Sequence, residues 1–306
     1  MKFSNLEKGQ HTKNVMLTKI EEKISKAGNT FFTLELSDGE EKVSAVCFDD
    51  IDNFKVGDLV LIVFTKSEYN GADNYRVDYI DYIEDENVNR EDFVIAPPVL
   101  SRDMYSYIYN VLENLQNKDI SKLSTEIYKQ HKEKLLYWSA AKSHHHNLYA
   151  GLLYHTYRMV ELAVSMADVY NNANRDLLIA GCALHDIGKL QELNTDISGN
   201  ADYSVDGNLF GHLYIGAEIL QEVATDLNID REVVRNLKHI ILSHHNNPEW
   251  GAVVKPATME AWLVSQIDMI DSQFYVFETE SSKIQGGETS NSFSLDGKRI
   301  YKANIE

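Results

Sequence analysis

The sequence predicts an α+β chain of two parts, a small N-terminal β-barrel followed by an all-α helical bundle. Three observations carry the prediction. Residues 12–86 fall into short runs rich in β-branched and aromatic side chains, several alternating apolar with polar positions. From Ser101 onward the apolar residues recur at helical spacing instead. Between the two lies "EDENVNREDFVIAPPVL", an acidic stretch ending in Pro97-Pro98, which continues neither a helix nor a central strand.

The strands come first. "NVMLTKIEEKIS", "TFFTLELSDG", "EKVSAVCFDD", "GDLVLIVFTKSEY" and "YRVDYIDYIE" give about five strands, with turn signals at "SDGE" and "NGADN". That count and length fit a barrel of the oligonucleotide/oligosaccharide-binding (OB) type; a purely structural barrel or small sandwich has the same periodicity. Phe31, Phe32, Phe48, Phe64, Tyr69 and Tyr75, with Lys19, Lys42, Lys66 and Arg76, are the aromatic and cationic side chains that could grip a single strand. About half of those aromatics should be core.

The helices follow in "YSYIYNVLENL", "LSTEIYKQHKEKLLYW", "NLYAGLLYHTYRMVELAVSMADVY", "RDLLIAGCALHDIGK", "GHLYIGAEILQEVATDL", "REVVRNLKHIILSHH" and "TMEAWLVSQIDMIDSQF". The expected boundaries are 1–95 for the barrel, 96–275 for the helical domain and 276–306 for a C-terminal extension of loop and hairpin-like "FSLDGKRIY".

Composition narrows the class. The 306 residues are 43% hydrophobic and 25% charged, as expected of a globular protein of two domains. No run of about 18 apolar residues suggests a membrane span, and the N-terminus lacks the apolar core of a secretory signal. Cys47 and Cys182 offer neither a disulfide framework nor a zinc-site spacing. A cytoplasmic location is expected. The net charge of −18 is shared equally, −9 in residues 1–95 (11 basic, 20 acidic) and −9 in the remainder. Whole-surface attraction to nucleic acid is thereby excluded; a polyanion would need a local site in which bound cations supply positive charge.

The helical part holds a set of side chains that suits such a site. His155, His185-Asp186, His212, His244-His245 and Asp268 each lie within or at the end of an apolar helical run, where a polar group must find a partner. Any one alone reads as a hydrogen-bonded core residue. Together, imidazoles and carboxylates form the donor set of a divalent transition ion. In "CALHDIGKLQEL" the adjacent His185 and Asp186 fall where a helix gives way to a turn, relaxing the 100° separation of a regular helix. Gly188 would let the chain turn, and Lys189 would place an ammonium beside a phosphate. Arg158, one turn after His155, could reach phosphate or form a surface ion pair. His144, His145 and His146 could line a substrate entrance or be bystanders, and Trp250 and Glu249 could form a pocket wall, with packing as the ordinary reading.

The pattern His…His-Asp…Asp resembles the HD phosphohydrolase superfamily, and the extra histidines resemble its two-metal branch. The resemblance implies a first ion on His155, His185, Asp186 and Asp268, and a second on His212, His244 and His245 with Asp186 bridging. Gly151 stands where some trinuclear relatives carry a glutamate, so two ions are expected. The barrel-plus-HD layout resembles the YhaM-type 3′–5′ exoribonucleases, through "AAKSHHHNLYAGLLYHT", "DLLIAGCALHDIGKLQEL", "GNLFGHLYIG", "LSHHNNPEWGAVVKP" and "FSLDGKRIY". That resemblance implies a hydrolase releasing nucleoside 5′-monophosphates from single-stranded RNA, with single-stranded DNA as a second substrate, through hydroxide activated by two metal ions. Mn²⁺ is the expected ion, ahead of Co²⁺, Fe²⁺, Zn²⁺ or Mg²⁺. Asp186 and Lys189 are the expected catalytic residues, with Lys189, His145, His146 and Arg158 as substrate contacts, and a homo-oligomer is expected. The rivals are an HD enzyme acting on cyclic dinucleotides or free nucleotides, and a single-strand-binding protein with an inactive site.

Overall fold

The computed structural model describes residues 2–69, 71–83, 88–142, 148–292, 295 and 297–305. It divides into two compact units, Met1–Pro98 with Asp196–Asn200, and Val99–Thr195 with Ala201–Glu306.

Five strands build the first unit: β1 (Gly9–Ile24), β2 (Thr30–Ser37), β3 (Lys42–Cys47), β4 (Leu59–Tyr69) and β5 (Ala72–Tyr82). They close in the order β1-β2-β3-β5-β4. The long β1 makes closure possible by pairing Gly9–Met16 with β4 and Met16–Ile24 with β2, while a parallel β3–β5 pairing seals the other seam. This is an OB-like barrel. The "SDGE" turn forms as expected: the Asp38 carboxylate accepts from the backbone N–H groups of Glu40 and Glu41 at 3.0 and 2.8 Å.

Alternation sorts the barrel's side chains. On β4, Val60, Ile62, Phe64 and Lys66 take the inward positions, and Val15, Leu17, Leu34, Leu36, Tyr75 and Val77 complete the core. Phe64 and Tyr75 are therefore core residues and not strand contacts, and Phe32 packs against the same core. Lys66 is also corrected. Only 5% exposed, it donates to the carbonyls of Phe3 and Ser4 and pairs with Asp73 at 2.8 Å, tying the N-terminal turn to the barrel. Phe48 (63% exposed) and Tyr69 remain outside, with Phe31 against Phe48 at 5.9 Å between ring centroids.

The second unit is built from α1 (Ser101–Glu113), α2 (Lys118–Gln130), α3 (Lys132–Leu135), α4 (Gly151–Val169), α5 (Arg175–Leu184), α6 (Lys189–Glu192), α7 (Val205–Asp226), α8 (Arg231–Ser243) and α9 (Met259–Ser282). It is not purely helical. β6 (Leu193–Thr195) pairs with β7 (Ala201–Tyr203), and β8 (Thr289–Asn291) with β9 (Arg299–Tyr301), both antiparallel. Asp196 explains the first hairpin, its carboxylate accepting from the backbone N–H groups of Ser198 and Asn200. α9 runs through residue 275, so the expected start of an extension at 276 falls within a helix. None of the described helices is long and apolar enough to cross a membrane.

The core lies between α4, α5, α7, α8 and α9, with Leu153, Val160, Ile179, Leu184, Ile241 and Val264 among its buried members. Three hydrogen bonds steady the end of α5 and the start of α6, on either side of the turn: Tyr128 Oη donates to Ala183 O at 2.9 Å, Trp138 Nε1 to Lys189 O at 2.9 Å, and Lys134 Nζ to Leu190 O at 3.0 Å. Each ties a backbone carbonyl of this part of the chain to the bundle without using its side chains.

Candidate metal centre

Four elements deliver the predicted histidines. His155 projects from α4, His185 and His244 follow the last residues of α5 and α8, and His212 follows a kink in α7. The kink is at Gly211, whose φ of 71° lies in the left-handed region that a side chain disfavours. It starts a new helical segment, and the His212 N–H at that start donates to Glu192 Oε1 at 3.0 Å.

All five histidines engage Nδ1 in the same way. His155 Nδ1 donates to Asp271 Oδ2 (2.7 Å), His185 Nδ1 to Cys182 O (2.9 Å), His212 Nδ1 to Glu192 Oε1 (2.9 Å), His244 Nδ1 to Ile241 O (2.9 Å) and His245 Nδ1 to Trp250 O (3.0 Å). An oxygen acceptor at Nδ1 fixes the tautomer with its proton there and leaves Nε2 with a lone pair. Two Nε2 pairs then approach closely, His155 with His185 at 3.2 Å and His212 with His245 at 3.3 Å. Facing lone pairs repel, so the arrangement calls for a cation or a proton between them.

Asp186 joins the two groups. Its Oδ2 lies 3.3 Å from His185 Nε2 and 3.9 Å from His155 Nε2, while Oδ1 lies 3.4 Å from His212 Nε2 and 3.6 Å from His244 Nε2. Asp268 Oδ1 is 3.3 Å from His155 Nε2. The triads His155–His185–Asp186, His185–His244–Asp268 and His212–His244–His245 each place three donor atoms within 4.8 Å of one another. Thus all seven side chains expected from the sequence meet in one cluster. Asp186 Oδ1 and His244 Nε2 are buried without a hydrogen-bond partner among the described residues, an expense unless a further ligand satisfies them. The N/O donor set fits a divalent cation.

The charges of the cluster follow from burial and from its neighbours. Burial works against ionised Asp186, but Lys189 and His185 outweigh it and hold the carboxyl well below its usual range. Burial likewise opposes a charged His155, yet Asp268 and Asp271 raise it to about 9, so without a cation its Nε2 holds a proton that a bound ion would displace. Burial, then His244 and His212, push His245 down to about 4, keeping its imidazole neutral and able to donate a lone pair.

Lys189 Nζ sits 2.8 Å from Asp186 Oδ2 and lines the same cavity of about 320 Å³. Gly188 does not serve the turn by unusual backbone geometry, since its φ is −63°. Its role is close approach. A Cβ there would lie 2.0 Å from His212 O and 2.6 Å from Gly216 N, so only glycine lets α6 meet α7. Arg158 forms ion pairs, one of the two roles its position allowed. Its Nε pairs with Asp271 Oδ1 at 2.6 Å and its Nη1 with Glu278 at 2.9 Å, and it lines a separate cavity with Phe274. His145 and His146, with His144, lie outside the described residues.

Comparison with known proteins places this site in a lineage. Residues 152–273 match the HD domain family. The chain is 33% identical to the 3′-5′ exoribonuclease YhaM of Bacillus subtilis (strain 168) over 303 residues, 97% of this chain and 96% of that protein. The chain belongs to the YhaM family. The YhaM of Listeria monocytogenes serovar 1/2a (strain ATCC BAA-679 / EGD-e) is 32% identical over 91% of this chain and 90% of its own length. Among solved structures, the second OB-fold domain of replication protein A from Methanococcus maripaludis aligns with 28% of this chain and 96% of that one, at 21% identity and a TM-score of 0.23.

Two residues of this YhaM-family site, Glu192 and Asp271, were not singled out by sequence for the parts they take, while Trp250 takes the pocket-wall place that the sequence offered beside packing. Glu192 and Asp271 orient His212 and His155. A signal existed for Asp271, which stands three residues after Asp268 on an apolar helix and so shares its face.

Proposed function

We propose that this chain is a metal-dependent 3′–5′ exoribonuclease that removes nucleoside 5′-monophosphates from single-stranded RNA, with single-stranded DNA as a second substrate. The observation that carries the reading is the shared orientation of the five histidines, every Nδ1 held by an oxygen and every Nε2 left for a ligand. Whole-length similarity to the YhaM exoribonucleases supplies the substrate class.

In this reading His155, His185, Asp186 and Asp268 hold one divalent cation, and His212, His244 and His245 hold another, with Asp186 offering one oxygen to each group. When bound, such ions supply Lewis acidity toward phosphate oxygens and lower the pKa of water so that a nucleophile exists near neutral pH. Mn²⁺ suits the mixed imidazole–carboxylate set. Lys189, whose charge is sustained by Asp186 despite burial, balances the phosphate's negative charge. Hydrolysis breaks the bond between phosphorus and the 3′ oxygen of the preceding nucleotide. Water gives its hydroxyl to phosphorus and, in net, a proton to the departing oxygen.

The barrel's part is to hold the strand. Exposed Phe48 and Tyr69, with Phe31 beside Phe48, offer aromatic faces that accept any base. The acidic surface makes that grip modest and dependent on divalent ions.

The test is a 5′-labelled single-stranded RNA incubated with and without Mn²⁺. A ladder descending from the 3′ end, absent in Asp186→Ala although that variant still binds the strand, supports the reading. An unshortened strand alongside rapid cleavage of a cyclic dinucleotide overturns it.

A further inference from the structure

We propose that the cavity beside the histidine–aspartate cluster is a one-nucleotide subsite in which Trp250 is the platform for the 3′-terminal base. The proposal rests on the exonuclease reading above and gives that site its substrate geometry.

The lining of the cavity divides by chemistry. Asp186, Lys189 and Asp268 form its charged part, while Trp250, Met269 and Gln273 supply an aromatic face, a thioether and an uncharged amide. A nucleotide has the same division, with a phosphate at one end and a flat, hydrogen-bonding base at the other. The volume of about 320 Å³ is at the small end of ligand pockets, which run from about 300 to 1,000 Å³. It has room for one nucleotide unit.

Trp250 is unusual for a residue so near a buried cluster. It is 62% exposed, stacks on no described ring, and its indole N–H has no acceptor among the described residues. Its backbone is nevertheless held. Trp250 N donates to Asn247 O at 2.8 Å, and Trp250 O accepts from His245 Nδ1 at 3.0 Å. The carbonyl thus orients a histidine of the cluster while the indole stays available. Through that single residue, the place of the base is tied to the place of the phosphate. A platform built this way accepts all four bases, since each has a π-face. Gln273 adds an amide with no hydrogen-bond partner among the described residues, and Ser272 lies on the Asp268 face of α9, four residues on.

Replacing the side chain leaves the carbonyl in place, so binding of the base separates from assembly of the cluster. Trp250→Ala in the full chain with Mn²⁺ is expected to raise KM for single-stranded RNA by about 5- to 150-fold, the size of one base–aromatic stack. The expected kcat and Mn²⁺ content are unchanged, and Trp250→Phe is expected to recover most of the loss. A strand whose 3′-terminal nucleotide lacks its base should show the same raised KM with the unmodified protein, and no further loss with Trp250→Ala. Equal KM for the unmodified protein and Trp250→Ala overturns the proposal, as does loss of Mn²⁺ from the variant. An independent readout is quenching of tryptophan fluorescence by a nucleoside 5′-monophosphate but not by ribose 5-phosphate, lost in Trp250→Ala. That binding signal without strand shortening would sink the exonuclease reading and leave the subsite standing. Shortening with no such signal would do the reverse.

Discussion

Glu192 Oε1 accepts two hydrogen bonds from His212, one from its backbone N–H at 3.0 Å and one from its Nδ1–H at 2.9 Å. One carboxylate thus caps the second segment of α7 and orients a candidate metal ligand. Burial disfavours the ionised carboxyl, but His212 outweighs it and lowers the pKa, so the charge that strengthens the imidazole as a donor is retained.

Glu192→Gln keeps the shape and removes the charge. We expect Mn²⁺ affinity at the His212 side to fall by about 10- to 100-fold, the usual effect of losing an outer carboxylate on a ligating histidine. Glu192→Ala should lose at least as much and about 1 kcal/mol of stability with the missing cap. Titration calorimetry of metal-free protein with Mn²⁺ reads both variants. Undiminished affinity in both would show that His212 needs no such support.

Asp271 performs the matching service for His155, but at the centre of an ion-pair chain. Oδ2 accepts from His155 Nδ1, Oδ1 faces Arg158 Nε, and Arg158 continues to Glu278. In Asp271→Asn one of the two oxygens becomes an amide that faces either the imidazole N–H or the guanidinium, donor against donor. Breaking a largely buried pair costs about 3 kcal/mol, or roughly 6–12 °C in the melting temperature of a domain near 200 residues. Arg158→Met alone leaves His155 its acceptor and is expected to retain more Mn²⁺ binding than Asp271→Asn. Calorimetric melting and metal content together test the order; equal metal loss in the two variants would contradict it.

These two carboxylates show how far the sequence was legible. The seven cluster residues could be read because each is a polar side chain in an apolar helical run, an arrangement that requires a partner. Glu192 follows a glycine and a lysine on a helix of four residues, where an acid reads as ordinary turn polarity. Its meaning depends on α7 passing beside α6, a contact that joins residues 20 apart. Lys66 misled for a related reason: its charge suggested a nucleic-acid contact, whereas the period-two alternation of β4 assigns it an inward position. Trp250 was legible in part: its sequence position allowed a pocket wall or packing, and its exposed ring on the cavity wall decides between them.

Metal removal should be felt in stability as well as in activity. The Nε2 pairs at 3.2 and 3.3 Å and the unpartnered Asp186 Oδ1 are tolerated best with cations present. An ion that binds only the folded chain stabilises it by about 2.7 kcal/mol at one hundred times its dissociation constant, roughly 5–10 °C for this domain. We expect chelated protein to melt lower than Mn²⁺-loaded protein by that amount, with Mg²⁺ restoring less because it favours an all-oxygen shell. Asp186→Ala should show little of the Mn²⁺ effect. Identical melting of chelated and loaded protein would remove the metal centre from the account.

Gly188 provides the most local test of how the fold builds the site. Its backbone angles are those of an ordinary helix, so alanine meets no conformational barrier there. The obstacle is steric, and it consists of backbone atoms: a Cβ would stand 2.0 Å from His212 O and 2.6 Å from Gly216 N. Neither atom belongs to a side chain that could rotate away, so α6 and α7 must separate. That movement pulls Asp186 and Lys189, on one side of the contact, from His212 on the other. We expect Gly188→Ala to cost about 1–3 kcal/mol by overpacking and to weaken Mn²⁺ binding, although residue 188 offers no ligand atom. Gly216→Ala is the control. Its Cβ would meet its nearest neighbour, Gly188 N, at 3.2 Å, a contact that a small shift relieves. The larger loss of both stability and metal affinity should therefore fall on Gly188→Ala, and calorimetry of the two variants with and without Mn²⁺ decides it. A Gly188→Ala protein that melts and binds Mn²⁺ like the parent would mean that the two helices are not held at the spacing on which the cluster depends.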